Sequence, residues 1–238
     1  MADEIENRVL DEEKTLALHE LGVLAWNKVM DEQPTDVTFR GELDNCDFKG
    51  YVFSGKADFR QVIFLDNAIF SNTLFKNSVQ FLSCIFMMTL RFNEAKFPNS
   101  YNNGFKFTLI FLECKMRSAL FEKVYFGFYV SFEGSKFHAV TSFSGSIFTN
   151  VVNFSGVEAK NRFWFHQAVF TRAPSFSNAQ VPPDLIDGMI VNYAKAEHVK
   201  AKSTPTRKDL AFYEDDCNRY RQLKRFAIEA RNHGQEQR

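Results

Sequence analysis

The chain has 238 residues, with a hydrophobic share of 45% and a charged share of 24%, as in one large globular domain or a domain with two small flanks. Its zero formal charge is unevenly spread: residues 1–38 carry 10 acidic and 3 basic side chains, 39–181 carry 10 and 15, and 182–238 carry 9 and 11. A body of net +5 is too weak to argue for nucleic acid without a basic stripe or a stacking platform.

The start, MADEIENRVLDEEK, has neither the basic nor the apolar region of a secretory signal. No run of about 18 apolar residues is present to span a membrane. Cys46, Cys84, Cys114 and Cys217 lie far apart and match no metal-ligand spacing. A cytosolic chain is the expectation.

Residues 9–30 read as one helix: Leu10, Leu18, Leu21, Ala25 and Val29 recur at helical spacing, Leu24 widens the stripe, and acidic residues crowd the first turns. The stretch 31–35, with Pro34, ends it.

Phenylalanine then returns at alternating steps of five and six. The first run is Phe48, Phe53, Phe59, Phe64, Phe70, Phe75, Phe81, Phe86, Phe92 and Phe97. The second is Phe121, Phe126, Phe132, Phe137, Phe143, Phe148 and Phe154, then Phe165, Phe170 and Phe176, with Ala159 on the one missing beat. A fixed internal period marks a repeat fold. An eleven-residue period could be helical, but the spacers are Ser, Asn, Gly, Thr and Val, poor helix formers and good turn or strand formers. Steps of five and six would also split the rings into two stripes on a helix.

A small residue sits two places before many of the rings, as in Cys46, Ala57, Ala68, Cys84, Ala95, Ser135, Ser146 and Ala168. In extended chain both residues of such a pair face inward. The glycines fall singly after Phe, as Gly145 does after Phe143, where a corner needs them. The rhythm breaks between Phe97 and Phe121, where Pro98, Asn99 and Tyr101 to Gly104 read as a loop leaving the body, with Phe105, Phe107 and Phe111 out of step. Val181 to Asp184 closes the repeats, with one irregular turn to Ile190. A last helix starts at Thr206 and Asp209 and carries Leu210, Tyr213, Cys217, Tyr220, Leu223 and Ala227.

These units resemble the pentapeptide-repeat proteins. Ala57-Asp58-Phe59-Arg60-Gln61 fits their pattern in full, and Cys46-Asp47-Phe48-Lys49-Gly50 and Ala95-Lys96-Phe97 fit closely. The resemblance implies an all-β, right-handed, four-sided β-helix with α-helical caps at both ends. The resemblance covers roughly residues 37–181, and with the two flanking helices it divides the chain into an N-terminal capping helix (1–38), the β-helix (39–190) and a C-terminal helical cap (191–238). The extra residue in every second repeat is seen in the Phe-rich branch, and the spacing leaves open which face carries it. Two units per coil give six to seven coils and a rod about 30 Å long. The flanks are similar too: Gly22 to Asn27 resembles the leader before many such repeats. Tyr220 to Lys224 resembles the segment after them in members that continue into transmembrane helices, so a membrane link through a further C-terminal part is one expectation.

No phosphate loop, HExxH, CxxC or GxSxG motif occurs, so no catalytic, cofactor or metal residues are expected and the chain reads as non-enzymatic. His138 and His166 should point outward, and the cysteines inward as packing thiols. Trp164 and Tyr125 precede inward rings and so face solvent, with Tyr129, Tyr101, Asn102 and Asn103 as further candidates for a partner surface. The expected function is a scaffold or interaction module with a protein partner, including self-association as a homodimer through a cap helix. Two alternatives are a DNA-mimicking topoisomerase (gyrase) binder, against which the +5 body speaks, and the soluble sensor or regulatory part of a membrane-linked protein.

Overall fold

Parallel pairing, one turn apart, builds the body. The computed structural model describes residues 8–98, 107–181 and the backbone of 186–187. Val37 pairs with Ala57, Ala57 with Val79, Val79 with Leu109, Leu109 with Val130 and Val130 with Val152. Ala57 to Val79 and Val130 to Val152 are twenty-two residues each, so a regular turn holds two eleven-residue units. About six turns stack as a β-helix.

Four inward columns make the tube four-sided. The first face stacks Phe39, Phe59, Phe81, Phe111, Phe132, Phe154 and Phe176, with ring centroids 4.6–5.2 Å apart. The second carries Leu43, Phe64, Phe86, Met116, Phe137 and Ala159. The third stacks Phe48, Phe70, Phe92, Phe121, Phe143 and Phe165 at 4.6–5.4 Å. The fourth stacks Phe53, Phe75, Phe97, Phe126, Phe148 and Phe170 at 4.7–6.0 Å. Strands pair about 4.8 Å apart, so most rings lie nearly parallel on the ring one turn away, the exception being Phe97 on Phe126, tilted by 32° beside the interruption. Rings of the first and third faces meet edge-on inside the tube, as Phe59 and Phe70 do at 5.7 Å and 85°. Burying each ring contributes roughly 1.5–3 kcal/mol, so the repeated Phe is the main stabilising device of the body.

Corners are of two kinds. Beyond the first face the second residue past the ring has positive φ (Gly41, Gln61, Ser83, Glu113, Gly134, Gly156, Asn178), and so has the one beyond the third (Gly50, Asn72, Glu94, Lys123, Gly145, Gln167). These are the five-residue steps, tight turns closed by bonds such as Ser146 N–H to Phe143 C=O at 3.1 Å and Ala95 N–H to Phe92 C=O at 2.9 Å. Corners beyond the second and fourth faces use six residues and, among the described residues, no positive φ. The extra residue of each eleven-residue unit therefore sits there.

Small inward side chains do more than fill space. Ser135 Oγ accepts from Cys114 N–H at 3.1 Å and donates to Phe111 C=O at 3.1 Å, bridging the turn one coil earlier. Ser146 Oγ bridges Val124 N–H and Phe121 C=O in the same way. The Cys84 and Cys114 thiols donate to Phe59 C=O and Phe81 C=O, each at 3.3 Å. Cys46, Cys84 and Cys114 are buried and unpaired by disulfides, and burial pushes the Cys114 thiol well above its usual range.

Before the first coil, strand β1 (Arg8–Val9) leads into helices α1 (Glu12–Glu20) and α2 (Val23–Glu32), and strand β2 (Thr35–Leu43) opens the tube. The stretch 9–30 is thus two helices, not one. Gly22, at φ 84°, breaks the path and rephases the second helix against the first. The buried stripe is Leu10, Thr15, His19, Trp26 and Met30, whereas Leu21 and Leu24 are 72% and 86% exposed. Inward residues complete groups of the first coil that have no earlier coil to pair with. Trp26 Nε1–H donates to Val52 C=O (2.9 Å), Val52 N–H to Asn27 Oδ1 (2.8 Å), Asn27 Nδ2–H to Gly50 C=O (3.0 Å) and His19 Nε2–H to Asn45 C=O (2.8 Å). The C-terminal helix expected over 206–234 lies outside the described residues. A backbone strand, Ile186–Asp187, pairs with Phe163 and Trp164.

The interruption in the rhythm is real. Val79 pairs with Leu109 thirty residues on, against twenty-two in a regular turn. Phe111 proves to be in step on the first face. Phe107 packs on Phe128 at 4.3 Å and on Phe97 at 5.6 Å, a buried aromatic group beside the interruption.

Candidate partner-binding surfaces

With the interior closed, what distinguishes this tube is what its faces turn outward. Tyr125 and Trp164 are 42% and 39% exposed. They lie on different faces: Tyr125 on the fourth, in register with Ile147, and Trp164 on the third, in register with Ser142. Tyr129 is half-buried and pairs with Thr108. Tyr101, Asn102 and Asn103 lie outside the described residues. His138 and His166 are exposed, as alternation requires.

On the fourth face Tyr125, Ile147 and Val169 stack in register, 42%, 40% and 38% exposed, and form an outward apolar stripe. A Cβ added at Gly127 would meet Tyr125 Cε1 at 2.9 Å, so the glycine leaves the room in which the phenol ring lies. Ile147 and Val169 escaped the sequence reading because they are twenty-two residues apart. Only the coil register brings them together.

The second face holds a more ordered pattern. Its outward column runs Glu42, Ile63, Ile85, Lys115, Lys136, Glu158, Gln180 along the rod. Beside it, two residues on at the corner, runs Leu65, Met87, Arg117, His138, Lys160. The grid is acidic at Glu42 and Asp44, apolar on the next two rungs and mainly basic on the three after them, where His138 and Glu158 are the exceptions. Lys115 and Lys136 stand on adjacent rungs, which sets like charges opposite each other. Lys136 Nζ reaches Glu158 Oε1 at 2.8 Å and Oε2 at 2.9 Å. Lys115, Arg117 and Lys160 have no acidic partner among the described residues. Between Lys115 and Lys160 lies a groove of about 310 Å³, also lined by Lys136, Phe137, His138 and Glu158.

Among the described residues no group of three or more His, Cys, Asp or Glu is placed to hold a metal ion, and no helix is long and apolar enough to cross a membrane. Residues 35–85 match the family model described as pentapeptide repeats, in 9 copies. Neither a curated protein nor a solved structure matches the chain.

Proposed function

We propose that this chain, which belongs to the pentapeptide-repeat proteins, is a non-enzymatic protein-interaction module that offers the faces of a rigid tube to a protein partner. The observation that carries this reading is the in-register outward stripe of Tyr125, Ile147 and Val169. An outward position on a β-helix has no folding requirement to be apolar, because the inward columns already bury the core. Three such residues on successive rungs give a partner a flat apolar strip, of the kind that marks interaction sites. Buried free thiols at Cys46, Cys84 and Cys114 support a reducing, cytosolic compartment. Exposed Leu21 and Leu24 support self-association through the cap helices as a second contact.

Affinity capture tests the reading. The tagged chain is used as bait against its native cytosol and membranes, beside Tyr125→Ala/Ile147→Ala and Trp164→Ala. A specific partner held by the parent and lost with the double variant is expected. Recovery of the bait alone in every arm would overturn the interaction reading. Sedimentation of the parent and of Leu24→Glu at equal concentration checks the cap contact.

A further inference from the structure

The second-face grid has a direction along the rod that the fourth-face stripe lacks. Resting on the interaction-module reading above, we infer that this edge is a docking site for an amphipathic α-helix of a partner protein. That helix carries aliphatic side chains on two successive turns and carboxylates on the turns beyond them.

Charge gives the first argument. Lys115 and Lys160 line a concave groove, and they and Arg117 lack acidic partners among the described residues. Cations so gathered recognise carboxylates through charge-assisted hydrogen bonds, and Arg117 can take one bidentately. Glu158 already holds Lys136 in the same row, at 2.8 Å, in the kind of contact that a partner's carboxylate would make with Lys115 or Lys160.

Spacing gives the second. A helix lying along the rod turns the same face inward every 5.4 Å or so, close to the rung repeat of about 4.8 Å. An extended strand would repeat at about 6.8 Å and fall out of step within two rungs. Met87, 50% exposed beside Ile85, supplies an adaptable apolar seat at the other end. A lipid surface would need no such order along the axis, and a groove of about 310 Å³ fits side chains better than it fits a plane.

The test uses the full chain and a labelled synthetic helix of about eighteen residues, with Leu on one face for two turns and Glu on that face for the next three. Fluorescence anisotropy should show saturable binding that weakens several-fold as salt rises from about 50 to about 200 mM. Affinity should fall at least about tenfold for Lys115→Glu/Lys160→Glu, a loss near 1.4 kcal/mol, and also for Met87→Glu. A peptide with Lys in place of Glu should prefer the double variant over the parent, which also shows that the variant is folded. The proposal is overturned by equal affinity for parent and double variant, by absence of saturable binding, or by parent binding to phosphatidylserine vesicles but not to the peptide. Capture of one cellular partner equally by parent and Lys115→Glu/Lys160→Glu would leave the interaction module standing and remove this site from it.

Discussion

Phe163 fills the space that Ala159 leaves. Ala159 stands in the second-face column, where the preceding coil has Phe137, and Phe163 stands in the small-residue column of the third face, above Thr141. The Phe163 ring lies 5.0 Å from Phe137, edge-on, and 6.0 Å from Phe154. It is fully buried. Large and small residues have exchanged places within one coil, so the tube keeps its packing although the Phe rhythm skips a beat. Phe163→Ala should lose about 3–5 kcal/mol, the usual range for deleting a buried ring. Ala159→Phe, which overpacks, should lose about 1–3 kcal/mol. The double exchange should recover much of both losses, because the two sites share one space. Urea denaturation of the four chains measures this, and simple additivity would refute the exchange.

The tight corners hold an L-residue in the left-handed region at Gln61, Asn72, Ser83, Glu94, Glu113, Lys123, Gln167 and Asn178, where other coils have Gly. That conformation costs roughly 1–2 kcal/mol for a residue with a Cβ, offset in part by the larger unfolded-state entropy of Gly. Glu94→Gly and Lys123→Gly should therefore stabilise by about 0.5–1 kcal/mol each. Gly145→Ala, at φ 69°, should destabilise by about 1 kcal/mol. Midpoints of thermal unfolding for the three variants decide the matter.

Much of this body could be read from sequence because its code is local. A ring and the small residue two places before it specify one side of the tube, and a run of such pairs specifies the fold. Gly145 marked its corner for the same reason. The remainder depends on neighbours one coil away. Ala159 is a gap in the rhythm of the chain and a packed position in the coil, because Phe163 lies beside it. Ile147 and Val169 are ordinary residues in the chain and form a stripe only through register with Tyr125. The same holds for Ile85, Lys115 and Lys136. In the cap, the first helix turns Thr15 and His19 inward and leaves Leu21 outside, and the positive φ at Gly22 starts a second helix whose inward residues are Trp26 and Met30 instead of the expected Leu24. No periodicity count shows such a break.

His19 makes the cap pH-sensitive. Its ring is fully buried, stacked on Phe48 at 4.6 Å, with Nδ1 unpartnered and Nε2–H donating to Asn45 C=O. Burial holds its pKa below the ordinary 6.5. The unfolded chain therefore binds the proton first. The cap's contribution is full above about pH 6.5 and is lost as pH falls from there through the folded pKa, at up to about 1.4 kcal/mol per pH unit. Denaturation of the parent between pH 7.5 and 5.5 should show this slope, whereas His19→Gln should be flatter over the same interval. Equal slopes would mean that His19 protonates as readily folded as unfolded.

Ser146 and Ser135 carry a more severe expectation. Each hydroxyl is inserted into a turn of the preceding coil, taking its N–H and supplying its C=O. Replacing either by Ala keeps the packing volume nearly unchanged but strands one buried donor and one buried acceptor. The loss expected is about 1–3 kcal/mol per stranded group, softened where the turn can close on itself as it does between Ser146 N–H and Phe143 C=O. Ser146→Cys should retain much of the stability, because the Cys84 and Cys114 thiols already donate to the equivalent carbonyls at 3.3 Å. Ser146→Val should be no better than Ala, since it fills the space without bonding. Amide exchange at Val124 reads the bridge directly: it should accelerate in Ser146→Ala and Ser146→Val and stay slow in Ser146→Cys. Slow exchange in all three would show that the turn closes without the hydroxyl, and the small inward position would then be selected for size alone.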